Sequence, residues 1–304
     1  FDAKSIGIGD SKYFSGDSNL ISISSVSSYW KSSLTRLFMS IEINKSNFGN
    51  NKPLIENHFQ MFAFTFPVGK NKALAFGFNP MFRSNVILTE DQLNFIGTDY
   101  SPNDVPLAYR TTYTFDGGIS EFFSAFSMKV STHFSIGVKW SKLFGNSNYR
   151  YVLSVSEVEF SEDETISYDE TEYSYGNYKQ KYSSNSYEIE LRYKKYKYEF
   201  VSSYYKTNAL KINFSPEFDL IGWLEGTEYL IDKGVEKMGL GLSVDLSEKL
   251  GILFESHKST SFNSYESLNI FDVNNPDINS NHFGLYYKHK INKDHNLNQV
   301  NLRF

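Results

Sequence analysis

Ser18, in Gly16-Asp17-Ser18-Asn19-Leu20, is the residue whose surroundings come nearest to those of a nucleophilic serine. A hydroxyl attacks only when an imidazole takes its proton and a carboxylate orients that imidazole, so Ser18 needs a His and an Asp as partners. The end of the chain offers only the adjacent pair Asp294-His295 in a turn-like stretch, and serine is abundant across 15–33, so the match is compositional. The six histidines, His58, His133, His257, His282, His289 and His295, fall in turns or at strand ends. None has the His-x-x-x-His or His-Glu pairing of a zinc site. With no cysteine, disulfides, thiolate catalysis and Cys-zinc centres are excluded together. Asp272-Val273-Asn274-Asn275-Pro276-Asp277 has the composition of a calcium loop but lacks the Gly and final Glu of an EF-hand. The acidic run Glu157, Glu159, Glu162, Asp163, Glu164, Asp169, Glu170 and Glu172, interleaved with tyrosines, reads as a solvated loop or strand extension. Its functional alternative is a site for divalent cations that bridge lipopolysaccharide, or for a protein partner. No enzyme, no cofactor and no metal centre is expected.

The elements that would carry these residues are of one kind. Phe122, Phe126, Met128 and Val130 alternate with Glu121, Ser127 and Lys129, and after Ser131-Thr132-His133 the pattern resumes as Phe134, Ile136, Val138 and Trp140 against Ser135, Gly137, Lys139 and Ser141. A period of two is that of a strand with one apolar face, and a turn that pairs Val130 with Phe134 keeps both apolar sets on one side. Leu240, Leu242, Val244 and Leu246, then Leu250, Ile252 and Phe254 after Ser247-Glu248-Lys249, repeat the device. Tyr187, Ile189, Leu191 and Tyr193 lead through a predicted Lys194-Lys195 turn to Tyr196, Tyr198 and Phe200, with Glu188, Glu190, Arg192, Lys197 and Glu199 on the opposite face. The candidate strands are 37–43, 59–66, 74–82, 107–115, 119–130, 134–143, 150–158, 186–193, 196–204, 209–215, 238–246, 250–257, 282–291 and 297–304. Fourteen strands put some short turns on the wrong end. Either 107–130 is one strand bent at Gly117-Gly118, or strands lie within 159–182 and 218–231, which leaves about 12–16 in all.

Composition decides which face meets solvent. The 304 residues include 27 Phe, 22 Tyr and 3 Trp, while hydrophobic residues amount to only 40%. No run reaches the roughly 18 apolar residues of a membrane helix. A net charge of −5 with no Lys/Arg cluster excludes a nucleic-acid partner. Tyrosines gather toward strand ends, as in interfacial girdles, and tight turns near 67–72, 131–133 and 247–249 contrast with long polar segments near 44–57, 84–106, 159–182 and 258–280. Both are properties of a membrane barrel rather than a soluble sandwich. Asn298, Val300, Leu302 and Phe304 alternate with Gln299, Asn301 and Arg303, and this ending resembles the assembly signal of outer-membrane barrels. The predicted fold is all-β: a transmembrane antiparallel β-barrel of about 14 strands over 34–304, with the Gly/Ser-rich segment 1–33 folded into the lumen. The expected location is the bacterial outer membrane after removal of a signal peptide, since Phe1 opens the chain without a leader.

Ala3-Lys4-Ser5-Ile6-Gly7-Ile8-Gly9 resembles the mature N-terminus of the long-chain fatty-acid transporter (FadL-like) superfamily, including its PorV-like, secretion-associated branch. There an Ala-Arg-x-x-Gly-x-Gly stretch opens a segment that enters the barrel. Gly77-Phe78-Asn79-Pro80, Gly117-Gly118-Ile119-Ser120 and Ser135-Ile136-Gly137-Val138 followed by Leu143-Phe144-Gly145 are similar to recurrent blocks of that superfamily. The Asn-Pro-Ala-Gly that usually follows is absent, and Ser27-Ser28-Tyr29-Trp30 stands near its place. The resemblance implies a plugged fourteen-stranded barrel that admits hydrophobic molecules from outside and releases them sideways. Phe1, Ile6, Ile8 and Phe14 would then offer apolar contacts to the ligand.

Two functions follow. One is passive uptake of small hydrophobic molecules. The other is a non-transporting subunit, shuttle or anchor of a larger, secretion-type outer-membrane complex. Expected partners are outer-membrane lipid and lipopolysaccharide, the barrel-assembly machinery, and either a hydrophobic ligand or partner proteins of such a complex. The ionisable face at Glu188, Glu190, Arg192, Lys197 and Glu199 favours a lumen filled by ion pairs.

Overall fold

A computed structural model describes residues 12–14, 24–46, 54–94, 107–160, 166–219, 227–231, 234–247, 250–260, 278–290 and 299–303. Phe1, Ile6, Ile8, Ser18 and Phe304 lie outside the described residues, as does most of the N-terminal segment. One short 3-10 helix, Val26–Lys31, precedes thirteen strands. These are β1 (Arg36–Ser46), β2 (Leu54–Pro67), β3 (Lys72–Asn94), β4 (Leu107–Lys129), β5 (Phe134–Phe160), β6 (Ile166–Lys195), β7 (Tyr198–Thr207), β8 (Leu210–Asp219), β9 (Thr227–Ile231), β10 (Glu236–Asp245), β11 (Leu250–Ser259), β12 (Ile278–Lys290) and β13 (Gln299–Arg303). All pair antiparallel in a single sheet, in the order β1-β2-β3-β4-β5-β6-β7-β10-β11-β12-β13, with β8 beside β6 and β9. No helix among the described residues is long and apolar enough to cross a membrane.

Thirteen strands fall within the expected 12–16, and the way candidate segments join removes the conflict over ends. Segments 107–115 and 119–130 are the single strand β4, and 134–143 and 150–158 are the single strand β5. Gly117, at φ +146°, keeps its ladder partners Ser84 and Ser147 on both sides, so the strand turns through a conformation open to glycine without ending. β9 lies within 218–231, as one of the alternatives required. β6 changes partner along its length: Ser186–Lys195 faces β7, and Gly176–Ser183 faces β8. β7 and β8 are therefore two halves of one wall strand, broken at Asn208-Ala209. The connections 68–71, 130–133, 196–197 and 246–249 then share one end, and 47–53, 95–106, 161–165, 220–226 and 260–277 share the other.

One turn moves. The β6–β7 reversal is Tyr196-Lys197 rather than Lys194-Lys195, and Lys195 still pairs with Tyr198. A two-residue hairpin turn demands positive φ, which Tyr196 adopts at 52°. Lys197 consequently sits in the turn and is exposed, not inward.

The two faces are inverted relative to a water-soluble sheet. Leu37, Met39, Ile41, Phe122, Ile189, Leu240 and Phe283 are exposed, while Ala63, Thr65, Ala73, Ser127, Ser141, Glu188, Glu190 and Glu255 are buried. Each exposed aliphatic side chain would cost about 1.5–3 kcal/mol in water relative to burial, so this face is suited to hydrocarbon. The sheet curls around its polar face: at the β-bulge between Pro80 and Phe82, Met81 of β3 meets Tyr205 of β7 with Sδ 4.0 Å from Oη, across three intervening strands. The fold is that of a transmembrane β-barrel with residues 12–14 and 24–32 on its inner side. β3 to β6 carry 23, 23, 27 and 30 residues, far more than the roughly 9–11 that span a bilayer.

Candidate functional site

The polar face presents ionisable residues at alternate positions of adjacent strands, and residues 12–14 and 24–28 of the N-terminal segment lie on them. From β6, Glu188 receives Lys12 Nζ at 2.5 Å and Lys139 of β5 at 3.1 Å, and Lys139 reaches Glu121 of β4 at 3.1 Å. Ser141 donates its hydroxyl to Glu121. Two residues further along β6, Glu190 has no solvent exposure at all. It accepts the hydroxyls of Ser25 and Ser27 and the backbone N–H groups of Val26 and Ser27, at 3.2 and 3.3 Å. Three of these donors converge on Oε1 and the Val26 N–H reaches Oε2, so both carboxylate oxygens have partners, which is what allows a charge to be buried there. The Glu190 contacts fall on the first residues of the 3-10 helix, whose N–H groups have no partner inside the helix.

Arg192 completes the β6 series. It donates from Nε to Ser27 Oγ at 2.9 Å and from Nη2 to the Tyr13 carbonyl at 2.8 Å, and pairs with Glu199 of β7. On the opposite wall Glu255 of β11 accepts the backbone N–H of Lys12 at 2.8 Å and of Tyr13 at 3.0 Å, with His257 Nε2 3.1 Å away. Burial alone would depress the Lys12 ammonium, but Glu188, Tyr13 and Glu190 together outweigh it and hold Lys12 charged above the usual lysine range. Burial pushes the Tyr13 hydroxyl up to about 12, and it shares a hydrogen bond with Ser203.

Close approach of the segment requires a wall without side chains. A Cβ at Gly137 of β5 would stand 2.5 Å from backbone atoms of Val26 and Ser27, and Tyr13 and Phe14 rest over Gly239 and Gly241 of β10. Phe14, expected to touch a ligand, is 5% exposed and packs with Tyr13, Val201, Leu253 and Tyr286, its ring 5.8 Å from the Arg192 guanidinium. At the C-terminus β13 pairs with β12, Val300 opposite His289 and Leu302 opposite Tyr287. Ser18 and the Asp272–Asp277 stretch lie outside the described residues. No group of metal-ligating side chains is present among the described residues.

The sequence reading found the ionisable stripe of β6 but missed Lys12, Tyr13, Ser25 and Ser27. Nothing in their local pattern marks them, since their partners lie between 163 and 243 residues away. Glu121, Lys139 and Glu255 do carry a signal: each is ionisable at a position that alternates with apolar residues.

The sequence profile of the family named BamG matches residues 9–303. The chain belongs to the BamG family. Among solved structures, the toluene transporter TodX of Pseudomonas putida is similar at a TM-score of 0.32 and 9% identity, over 97% of this chain and 90% of that one. No curated protein matches the chain. As a BamG-family barrel with an apolar outer face, it is a protein of the outer membrane.

Proposed function

We propose that this barrel is a non-transporting subunit of the outer-membrane barrel-assembly machinery, with which the name of its family associates it. The observation that carries this reading is the filled interior: Lys12, Tyr13 and Ser25–Ser27 are fastened to Glu188, Glu190, Arg192 and Glu255 on facing walls. A route for an apolar solute has to pass apolar surface, and desolvating charges along the way opposes passage. Ion pairs satisfied within the wall instead give a rigid body whose outer surface is left for lipid and neighbouring proteins. The barrel reaches the outer membrane after export and removal of a signal peptide, and its outward band contacts lipid, with lipopolysaccharide on the long-loop side.

Purification of the tagged full chain from its native membrane in a mild neutral detergent tests this. Assembly-machinery subunits are expected to come with it in fixed stoichiometry, and proteoliposomes of the purified chain are expected to take up toluene no faster than empty vesicles. Saturable toluene uptake by a chain that purifies alone would establish the transport reading in its place.

A further inference from the structure

A second feature lies at the short-turn end of the barrel, beside the contacts that fasten the segment and sharing Arg192 with them. Trp30, Lys31, Lys129, His133, Arg192 and Lys194 line a half-open cavity of about 210 Å³ between the 3-10 helix and the 130–133 turn. Four of these residues carry a positive charge at neutral pH, and two carboxylates answer them: Glu199, and Glu190, which lies 3.6 Å from Arg192. Arg192 spends its donors on Glu199, Ser25, Ser27 and the Tyr13 carbonyl. Lys194 meets Glu199 at 3.0 Å, and Lys31 is no nearer to it than 3.9 Å. The Lys129 ammonium lies over the Trp30 ring, 5.1 Å from its centroid, a contact that leaves its N–H donors available. Trp30 Nε1 is a buried donor with no acceptor among the described residues. The positive excess is visible on Lys31 itself: burial, then the Arg192 guanidinium, push its ammonium down to about 8 against the weaker pull of Glu199.

We infer that this cavity is a phosphate-binding site, in which Lys31, Lys129 and Lys194 hold the anion beside the Trp30 ring. The volume is below the roughly 300–1,000 Å³ of pockets that take whole drug-sized ligands, so it suits a single anionic group. Lysines bind phosphate as mobile point charges, which matches three ammoniums on separate elements better than a bidentate fork would. Short turns face the periplasm in outer-membrane barrels, where both free phosphate and the phosphates of inner-leaflet headgroups are within reach. A bound dianion favours the charged form of Lys31, so binding is accompanied by proton uptake and weakens as pH rises through about 8, with Arg192, Glu199, Lys194 and Glu190 as the charged groups that act on it and Lys129 lining the same cavity.

The test is titration of the full chain in neutral detergent with inorganic phosphate at constant ionic strength, followed by tryptophan fluorescence and calorimetry. Nanodiscs of phosphatidic acid and of phosphatidylcholine, compared on the same signal, separate a headgroup from the free ion. Saturable binding of phosphate, or a response to phosphatidic acid that phosphatidylcholine does not give, is expected. Lys129→Gln, which leaves the Glu199 pairs in place, should weaken it about tenfold, the worth of one charge-assisted contact. A signal that chloride reproduces, or an affinity unchanged in Lys129→Gln while the barrel stays folded, would overturn the assignment.

Discussion

Glu190 and Arg192 show how a charged pair survives in the middle of a protein. Their nearest approach, Nη2 to Oε1, is only 3.6 Å, so the pair is held less by direct contact than by Ser25 and Ser27, which bond to both partners. Ser25 is the N-cap and Ser27 the second residue of the helix whose first N–H groups the carboxylate accepts, so charge, cap and segment form one unit. Glu190→Ala would leave the Arg192 guanidinium with Glu199 as its only carboxylate and strip the acceptor from Val26 and Ser27. Removing one partner of a buried pair costs about 3–5 kcal/mol, and here the cost falls on docking of the segment. Brief trypsin treatment is therefore expected to cut the variant at Lys12 and Lys31 while the native chain resists; equal resistance would show that the carboxylate is not what holds the segment. That Glu190 and Arg192 face inward was readable from alternation with Ile189 and Leu191. Which groups they meet was not, because a buried charge specifies only that it must find partners, and the chain delivers those partners from its other end.

At the scale of elements, the 3-10 helix and the wall fit because the wall lacks a side chain under it. The Gly137 site lets the backbone at Val26 and Ser27 come to van der Waals distance, and Ser135 on the same face of β5 donates to the Ser27 carbonyl at 3.3 Å. Gly137→Ala inserts a carbon where backbone cannot yield, and overpacking of this kind costs about 1–3 kcal/mol. The expected result is a helix lifted from an intact barrel. Because the chain has no cysteine, a single Ser28→Cys reports on this directly: maleimide should label it slowly on the native wall, where residue 28 is 2% exposed, and readily beside Gly137→Ala. Unchanged labelling would mean that the helix tolerates a methyl group and is held by its hydrogen bonds alone. Strands were the most legible elements, since period-two patterning survives in β4, β5, β6, β10 and β11 alike. Their ends were less so. β9 (Thr227–Ile231) is only five residues long and had no run in which to show a period, whereas β4 and β5 continue through Gly117 and Asn146–Asn148, where the apolar face gives way to polar residues beyond the bilayer band.

The whole molecule is defined by which way its faces look. Leu240 and Leu242 stand outward, half exposed, while the intervening Gly241 is buried under Tyr13 and Phe14. In a water-soluble β-protein a charge at an exposed position such as Leu240 is harmless, since surface substitutions usually change stability by about 0.5 kcal/mol or less. In a barrel the same position meets lipid, and arginine there costs about 2–4 kcal/mol near the bilayer midplane, falling toward zero at the interface. Leu240 lies in the middle of β10, between Ser202 of β7 and Ser256 of β11, so the larger value applies. Leu240→Arg is expected to lower the yield of folded, protease-resistant barrel in liposomes, with a loss of roughly 2–4 kcal/mol in urea titration. Val130→Arg, in the turn that follows β4, should be nearly neutral, because its side chain sits at the end of the sheet rather than across its width. The contrast between these two exposed apolar positions is what carries the test. Equal, small effects at both would place the outer face in water, and with it would fall the reading of the polar interior as a lumen.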